Sequence, residues 1–136
     1  MENCIFCKII KGEIPSHKIY EDEYVYAFLD ISPANKGHTL VIPKKHYENT
    51  LDAPDMELTK VITATKKLAI LLKEKLNADG INIVNANGKI AQQSVFHLHY
   101  HIVPRYKEDG LDLWFHGESQ TNKNTDLEEL KKTILN

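Results

Sequence analysis

The sequence has little of what a nucleic-acid-binding protein uses. Arg105 is the only arginine, and the formal net charge of the 136 residues is -2 with histidine counted as neutral. Binding to a phosphate backbone needs a clustered positive field, and arginine forks are frequent phosphate clamps. We therefore expect no nucleic acid among the partners of this protein.

Long apolar runs are also missing. None approaches the ~20 residues of a membrane-spanning helix. Met1 is followed by Glu2, Asn3 and Cys4, not by a basic stretch and an apolar segment. The sequence therefore predicts a protein without a membrane span or signal peptide, and we expect it in the cytoplasm.

Cysteine is scarce: the two cysteines, Cys4 and Cys7, form a Cys-x-x-Cys pair. In the cytoplasm such a pair indicates metal binding or redox chemistry before it indicates a structural disulfide. With His46 and His97 it would make a Cys₂His₂ set, the composition of a closed structural zinc site. Redox use remains an alternative, although no thioredoxin-like β-α-β pattern surrounds the pair. His46 on its own could equally be an exposed loop residue.

The length of 136 residues and the hydrophobic content of 42% fit one domain spanning residues 1–136. The patterns predict an α+β fold on an antiparallel sheet of about five strands. Short strands are expected at 18–21, 24–29, 38–42, 81–84 and 97–103, and a short helix at 4–11 ended by Gly12.

Two further helices are predicted from apolar periodicity and capping signals. The long one has an apolar stripe from Leu58 to Leu76, with Asp52 as its cap and Pro54 in its first turn. The C-terminal one opens with the capping pair Thr125 and Glu128. Its apolar side chains are expected to dock it on the domain, and they are Leu127, Leu130 and Ile134.

The most informative segment is His97-Leu98-His99-Tyr100-His101-Ile102-Val103. Its period of two predicts a half-buried strand, with Leu98, Tyr100 and Ile102 facing the core and the three histidines on the opposite face. Same-face neighbours lie ~6.7 Å apart along a strand, so one zinc ion cannot take all three rings. The three histidines must therefore have different roles.

The central ring, His99, is the natural nucleophile. A neutral imidazole attacks phosphorus through one nitrogen when the other is held by a hydrogen bond, often to a backbone carbonyl. His101 and His38 could donate hydrogen bonds to phosphate oxygens or to the leaving group. The preceding loop adds polar groups that could stabilise negative charge or simply make turns: Asn85 or Asn87, Gln92, Gln93 and Ser94.

A nucleotide also needs groups for its ribose and base. Asp30, at the end of an apolar strand, is suited to accept hydrogen bonds from ribose hydroxyls. A flat apolar slot for a base could come from Phe6, Ile9, Phe28 and Ile31. Each of these, taken alone, would be ordinary core.

These residues resemble the histidine triad (HIT) family, whose motif is His-φ-His-φ-His-φ-φ with φ apolar. The segments 6–10, 13–15, 28–33, 37–46 and 93–95 resemble the family in the same order, so the match covers about residues 4–105 and leaves 106–136 as a less diagnostic tail with its helix. The paired cysteines are most similar to a bacterial, zinc-binding branch.

The resemblance implies an α+β homodimer that binds purine nucleotides and releases a nucleoside monophosphate through a covalent intermediate on His99. His101, His38 and Ser94 match positions that contact the phosphate or the leaving group. The nucleotide-binding residues implied, with Gln93 added from the loop, are Phe6, Ile9, Phe28, Asp30, Ile31 and Asn85, although a longer loop leaves Asn87 as an alternative to Asn85. One structural Zn²⁺ per chain is implied on Cys4, Cys7, His46 and His97.

The expected activity is hydrolysis of an AMP-containing nucleotide. Because the third triad residue is His101 rather than glutamine, the resemblance favours water over a sugar phosphate as acceptor. Nucleoside phosphoramidates and dinucleoside polyphosphates both remain candidate substrates. A non-catalytic nucleotide sensor or adaptor is the first alternative, and a hydrolase with a catalytic, open zinc site is the second.

Overall fold

A computed structural model describes residues 3–117, 119–122 and 125–136. Met1 and Glu2, on which the expectation about a signal peptide partly depends, lie outside these residues. Five strands form one antiparallel sheet in the order β1-β2-β3-β5-β4, and they are β1 (Lys18–Glu21), β2 (Val25–Leu29), β3 (Thr39–Pro43), β4 (Gly80–Val84) and β5 (Tyr100–Arg105). The α-helices are α1 (Ile5–Ile10), α2 (Asp55–Lys75) and α3 (Leu127–Leu135), and a short 3-10 helix spans Gln120–Asn122. The predicted α+β class with an antiparallel sheet is confirmed.

The long helix α2 covers one face of the sheet. Its apolar stripe, including Val61 and Leu68, packs against Val25, Val41 and Ile102 from the three central strands. These five side chains are 0–1% exposed, so this layer removes a large apolar area from water and stabilises the fold. Within the described residues, no helix is long and apolar enough to span a membrane.

The short helix α1 covers the opposite face. Phe6 and Ile9 from this helix pack with Tyr26, Phe28 and Leu40 from β2 and β3. Leu40 pairs with His101 across the sheet, and Val41 pairs with Tyr100. Since alternate residues face opposite sides of a sheet, His101 lies on the α1 face and Tyr100 on the α2 face. The histidine face of the predicted strand is therefore a second buried layer.

The histidine strand begins later than predicted. β5 starts at Tyr100, so His97 and His99 lie in the approach to the strand, and both are buried at 0% and 5% exposure. The main chain of Leu98 donates to the carbonyl of Tyr47 instead of to a neighbouring strand. The apolar and histidine side chains of this segment still alternate between two sides, and both sides are buried.

Two predicted caps are wrong. Pro54 occupies the N-cap of α2, while the carboxylate of Asp52 accepts hydrogen bonds from the main-chain N–H groups of Glu48 and Asn49. Asp126, one residue after Thr125, caps α3 by accepting from the N–H groups of Glu128 and Glu129. In both cases a nearby carboxylate or proline competes for the position that sequence spacing suggested.

The predicted docking of α3 is also wrong. None of its residues is buried, and the exposures of Leu127, Leu130 and Ile134 are 73%, 45% and 72%. The amphipathic pattern reflects the helix itself, because periodicity does not specify which surface an apolar face will meet.

Candidate functional site

The two cysteines and two of the histidines meet where α1 begins. The side chain of Cys4 caps α1 by accepting from the N–H of Cys7. The Nδ1 atom of His97 lies 3.4 Å from the Sγ of Cys4 and 3.6 Å from that of Cys7, and the Nδ1 of His46 lies 3.5 Å from the Sγ of Cys7. The four ligand atoms lie within 4.8 Å of one another.

These separations fit a tetrahedral zinc ion. With Zn–S near 2.3 Å and Zn–N near 2.0–2.1 Å, tetrahedral angles place sulfur and nitrogen about 3.5–3.6 Å apart. The Nε2–H of His97 donates to the carbonyl of Pro43 at 2.8 Å, because a carbonyl can only accept. This bond leaves the lone pair on Nδ1, facing the cysteines, and is the outer contact that metal-binding histidines normally make. Burial also lowers the pKa of His97 to about 4, which keeps the ring neutral.

The ring of His99 is held by the backbone of the same segment. Its Nδ1–H donates to the carbonyl of His97 at 2.8 Å. Nε2 therefore carries the lone pair, and it has no hydrogen-bond partner among the described residues. Phe6 and His101 pack edge-on against the ring, with centroids 5.3 and 4.9 Å away. Burial lowers the pKa of His99, so the ring is neutral at pH 7. This is the carbonyl bond that the sequence analysis expected of a nucleophile.

His38 and His101 form a bonded pair beside His99. The Nε2 of His38 lies 2.9 Å from the Nδ1 of His101, and the Nδ1 of His38 accepts from the main-chain N–H of Ala34 at 2.9 Å. Burial lowers the pKa of both rings, that of His101 to about 4. The carboxylate of Asp30 lies 3.6 Å from the Nε2 of His38 and accepts from the N–H of Ser32.

Asp30, His38 and His101 are close enough to suggest a second metal site, but the hydrogen atoms argue against one. The amide of Ala34 can only donate, so the Nδ1 of His38 must carry a lone pair. In the neutral ring the proton is then on Nε2, the atom that a metal in this group would need as its ligand. The group is better described as a chain of hydrogen bonds.

An apolar cavity of about 140 Å³ lies between α1 and the end of β2. It brings together all five residues that the sequence analysis assigned to a base and ribose: Phe6, Ile9, Phe28, Asp30 and Ile31. Asp30 is one of the few polar side chains in its lining. A cavity with apolar walls and a carboxylate at its edge suits a flat base attached to a hydroxylated sugar.

The predicted nucleotide-binding residues of the loop, Asn85 and Gln93, form hydrogen bonds with other parts of the protein. The Nδ2 of Asn85 donates to the carbonyl of His99 at 2.9 Å, and its Oδ1 accepts from Thr50 and Asn87. Gln93 is buried and donates to the carbonyls of Glu48 and Val95, so its polar atoms already have protein partners. A nucleotide contact for Asn85 or Gln93 stays a prediction.

Ser94 borders a separate surface cavity of about 620 Å³ that also touches Cys4 and His46. Its predicted contact with the phosphate or leaving group is therefore not visible in this geometry and stays a prediction. Three groups of the site were not among the predicted residues: Thr50, the amide of Ala34 and the carbonyl of Pro43. Main-chain groups carry no side-chain signal, so nothing in the sequence could have identified the last two.

Comparison with known proteins places this arrangement in a family. Residues 11–108 match the model of the HIT domain. A HIT-like protein of Methanocaldococcus jannaschii is 58% identical over 131 residues, which cover 96% of this chain and 98% of that protein. The chain therefore belongs to the HIT family.

Two further relatives are relevant to the site. A protein of Saccharomyces cerevisiae named adenosine 5'-monophosphoramidase is 50% identical over 105 residues, covering 77% of this chain and 64% of that protein. The crystal structure of a Zn-bound histidine triad family protein from Mycobacterium smegmatis superposes with a TM-score of 0.79 at 41% identity, covering 86% of this chain and 85% of that one.

Proposed function

We propose that this protein is a nucleotidyl hydrolase that releases AMP from adenosine phosphoramidates, with dinucleoside polyphosphates as the second substrate class. The observation that carries the proposal is the state of His99. Its Nδ1–H is held by the carbonyl of His97, and its Nε2, which has no hydrogen-bond partner among the described residues, carries the lone pair. The similarity to the yeast protein named adenosine 5'-monophosphoramidase supports the choice of the phosphorus–nitrogen bond.

The reaction proceeds in two displacements. The Nε2 of His99 bonds to the α-phosphorus while the phosphorus–nitrogen bond breaks, and the leaving amine takes up one proton. Water then attacks the phosphorus of the nucleotidyl-histidine. AMP leaves with the oxygen of that water, one proton is released, and neutral His99 is restored. The base and ribose occupy the cavity lined by Phe6, Phe28 and Asp30, so binding energy orients the phosphate in line with Nε2.

The second component of the proposal is a structural zinc ion on Cys4, Cys7, His46 and His97, one per chain. The sulfur–nitrogen separations and the tautomer of His97 fit it, and the Zn-bound relative supports it. When bound, the ion crosslinks α1 to the segment that carries His99. Four protein ligands leave no open position, so the proposal assigns the ion no catalytic role.

A homodimer is also proposed, with cytoplasmic location remaining an expectation. Apolar side chains are exposed on the outer side of α2 and on the sheet edge β4, among them Ile70 and Ile83 at 57% and 47%. An edge strand next to exposed apolar residues is a surface that proteins normally cover. Light scattering should give twice the chain mass of 15.6 kDa, and a species of the single-chain mass would exclude the dimer.

The function is tested by rapid mixing with adenosine 5'-phosphoramidate labelled in the adenosine, followed by a denaturing quench. We expect protein-bound AMP and free AMP from the wild type. His99→Ala should form no adduct and lose at least about 10³-fold in turnover. The matched control is His116→Ala, because His116 is an exposed histidine whose one partner among the described residues is Asp112, and it should behave as the wild type. Full turnover by His99→Ala, or nucleotide binding by the wild type without turnover, would refute the hydrolase; the latter result would favour the sensor.

A further inference from the structure

The hydrogen bond from Ala34 to His38 determines more than the position of one ring. An amide N–H has a fixed hydrogen, so the Nδ1 of His38 must accept. His38 is buried and neutral, which places its single hydrogen on Nε2. The nearby carboxylate of Asp30, 3.6 Å from that nitrogen, favours the same tautomer electrostatically.

The tautomer of His38 in turn determines that of His101. The Nε2–H of His38 points at the Nδ1 of His101 over 2.9 Å, so that Nδ1 accepts. A neutral His101 then carries its hydrogen on Nε2. This nitrogen has no hydrogen-bond partner among the residues that the structure describes. The tautomers of two histidines thus follow from one main-chain hydrogen atom.

We propose that the amide of Ala34 and the ring of His38 form a tautomer lock that presents the Nε2–H of His101, as a donor, to the substrate phosphate. His38 is then a positioning residue that acts through His101. The phosphate half of this inference rests on the proposed function, whereas the tautomers themselves do not.

The lock matters because the two tautomers of His101 have opposite effects on an anion. With the hydrogen on Nε2, the ring donates to a phosphate oxygen whose charge grows in the transition state, beside the lone pair of His99. With the hydrogen on Nδ1, it would direct a lone pair at that oxygen and repel it. A donor aimed in advance at developing charge is worth about 10²–10³ in rate.

The lock is tested on substrate-free protein by ¹⁵N NMR of labelled histidines at pH 7, since imidazole nitrogen shifts and proton couplings report which atom carries the hydrogen. In the wild type we expect Nε2–H and a bare Nδ1 for both His38 and His101. Ala34→Pro deletes the donor hydrogen at an exposed position, and Ala34→Gly is the matched control that keeps it. The proline variant should give mixed tautomers at both rings, and the glycine variant should match the wild type.

A second variant provides an independent test in case the proline variant does not fold. His38→Phe removes the donor to His101, so we expect mixed tautomers at His101 alone. In turnover assays both Ala34→Pro and His38→Phe should lower kcat by about 10–10³-fold with little change in KM. A wild-type His101 with its hydrogen on Nδ1, or a tautomer of His101 unchanged in His38→Phe, would overturn the lock. Neither NMR result depends on turnover, so failure of the proposed hydrolysis would be seen separately.

Discussion

The Nδ1–H of His99 donates to the main-chain carbonyl of His97 over 2.8 Å, and the imidazole of that same His97 directs its Nδ1 at the thiols of Cys4 and Cys7. One residue therefore belongs to both the proposed zinc cluster and the proposed catalytic centre. Its ring faces the cysteines while its carbonyl orients the ring of His99. Loss of the cluster should consequently affect the geometry of His99 without any contact between metal and substrate.

The first prediction concerns removal of that cluster. Cys7→Ser, or treatment of the wild type with a strong chelator, should lower the unfolding temperature and abolish zinc in elemental analysis, because metal binding contributes directly to folding free energy. Turnover should fall in parallel with the folded fraction and with ordering of His99. Activity that vanishes at once while the thermal unfolding curve stays unchanged would indicate a catalytic zinc ion instead. Adding zinc back should restore the unfolding temperature and turnover of the chelated wild type, but not those of Cys7→Ser.

A second prediction concerns Asn85, whose side-chain amide donates a hydrogen bond to the backbone of His99. Asn85→Asp keeps the shape but removes the Nδ2–H that donates to the carbonyl of His99. Leaving that carbonyl without its partner should cost about 1–3 kcal/mol of stability, measured by urea unfolding. We expect kcat to fall about tenfold or more while nucleotide affinity changes little. A variant with lower affinity and normal kcat would instead assign Asn85 to direct nucleotide binding.

A third prediction follows from the low pKa of His101. Burial lowers it from the ordinary 6.5 to about 4, so the unfolded chain binds a proton at this residue between those values and the folded protein does not. Stability should therefore decrease as the pH falls from 6.5 to 4, by at most about 3 kcal/mol from this group. Urea unfolding at pH 7 and pH 4.5 measures the change. His101→Asn should reduce the pH dependence, and an unchanged dependence would mean that His101 titrates normally.

The same pKa also predicts the pH profile of turnover. His101 stays neutral, and so able to donate from Nε2, above pH ~5, because its pKa of about 4 lies at least one unit below that pH. We expect kcat to be nearly constant between about pH 6 and 8 and to fall on the acidic side. A rate that rises with a midpoint close to 6.5 would show that the histidines of the site are not shielded from water.

A fifth prediction distinguishes the effect of the apolar cavity on nucleotide binding from its effect on folding stability. Ile9 and Ile31 both line it, but their exposures are 7% and 85%. Ile9→Ala should lower the free energy of unfolding by about 2–5 kcal/mol because it leaves a hole in the packed layer under α1. Ile31→Ala should leave stability unchanged to within about 0.5 kcal/mol. Both should weaken AMP binding in calorimetry, and full affinity in both would place the base elsewhere.

Local patterns in the sequence predicted most of the secondary structure of this protein. Periods of two and of three to four residues identified the strands and α2, since hydrophobic spacing directly reflects the geometry of the backbone. The proximity of Cys4 and Cys7 to His46 and His97, and that of Phe6 and Ile9 to Phe28 and Asp30, was predicted correctly. Residue types supplied part of that signal, paired thiols with histidines and an acid at the end of an apolar strand, and the resemblance to the HIT family supplied the rest.

Contacts between groups that are distant in the sequence could not be predicted and are visible only in the folded chain. The bonds from Ala34 to His38 and from His97 to Pro43 involve main-chain atoms, which every residue has, so no residue type marks them. They nevertheless determine which nitrogen of each imidazole carries a hydrogen. The late start of β5 and the exposed α3 depend on which surfaces meet in three dimensions. Sequence thus determined which chemical groups are available, and the fold decided which atom of each one is presented for reaction.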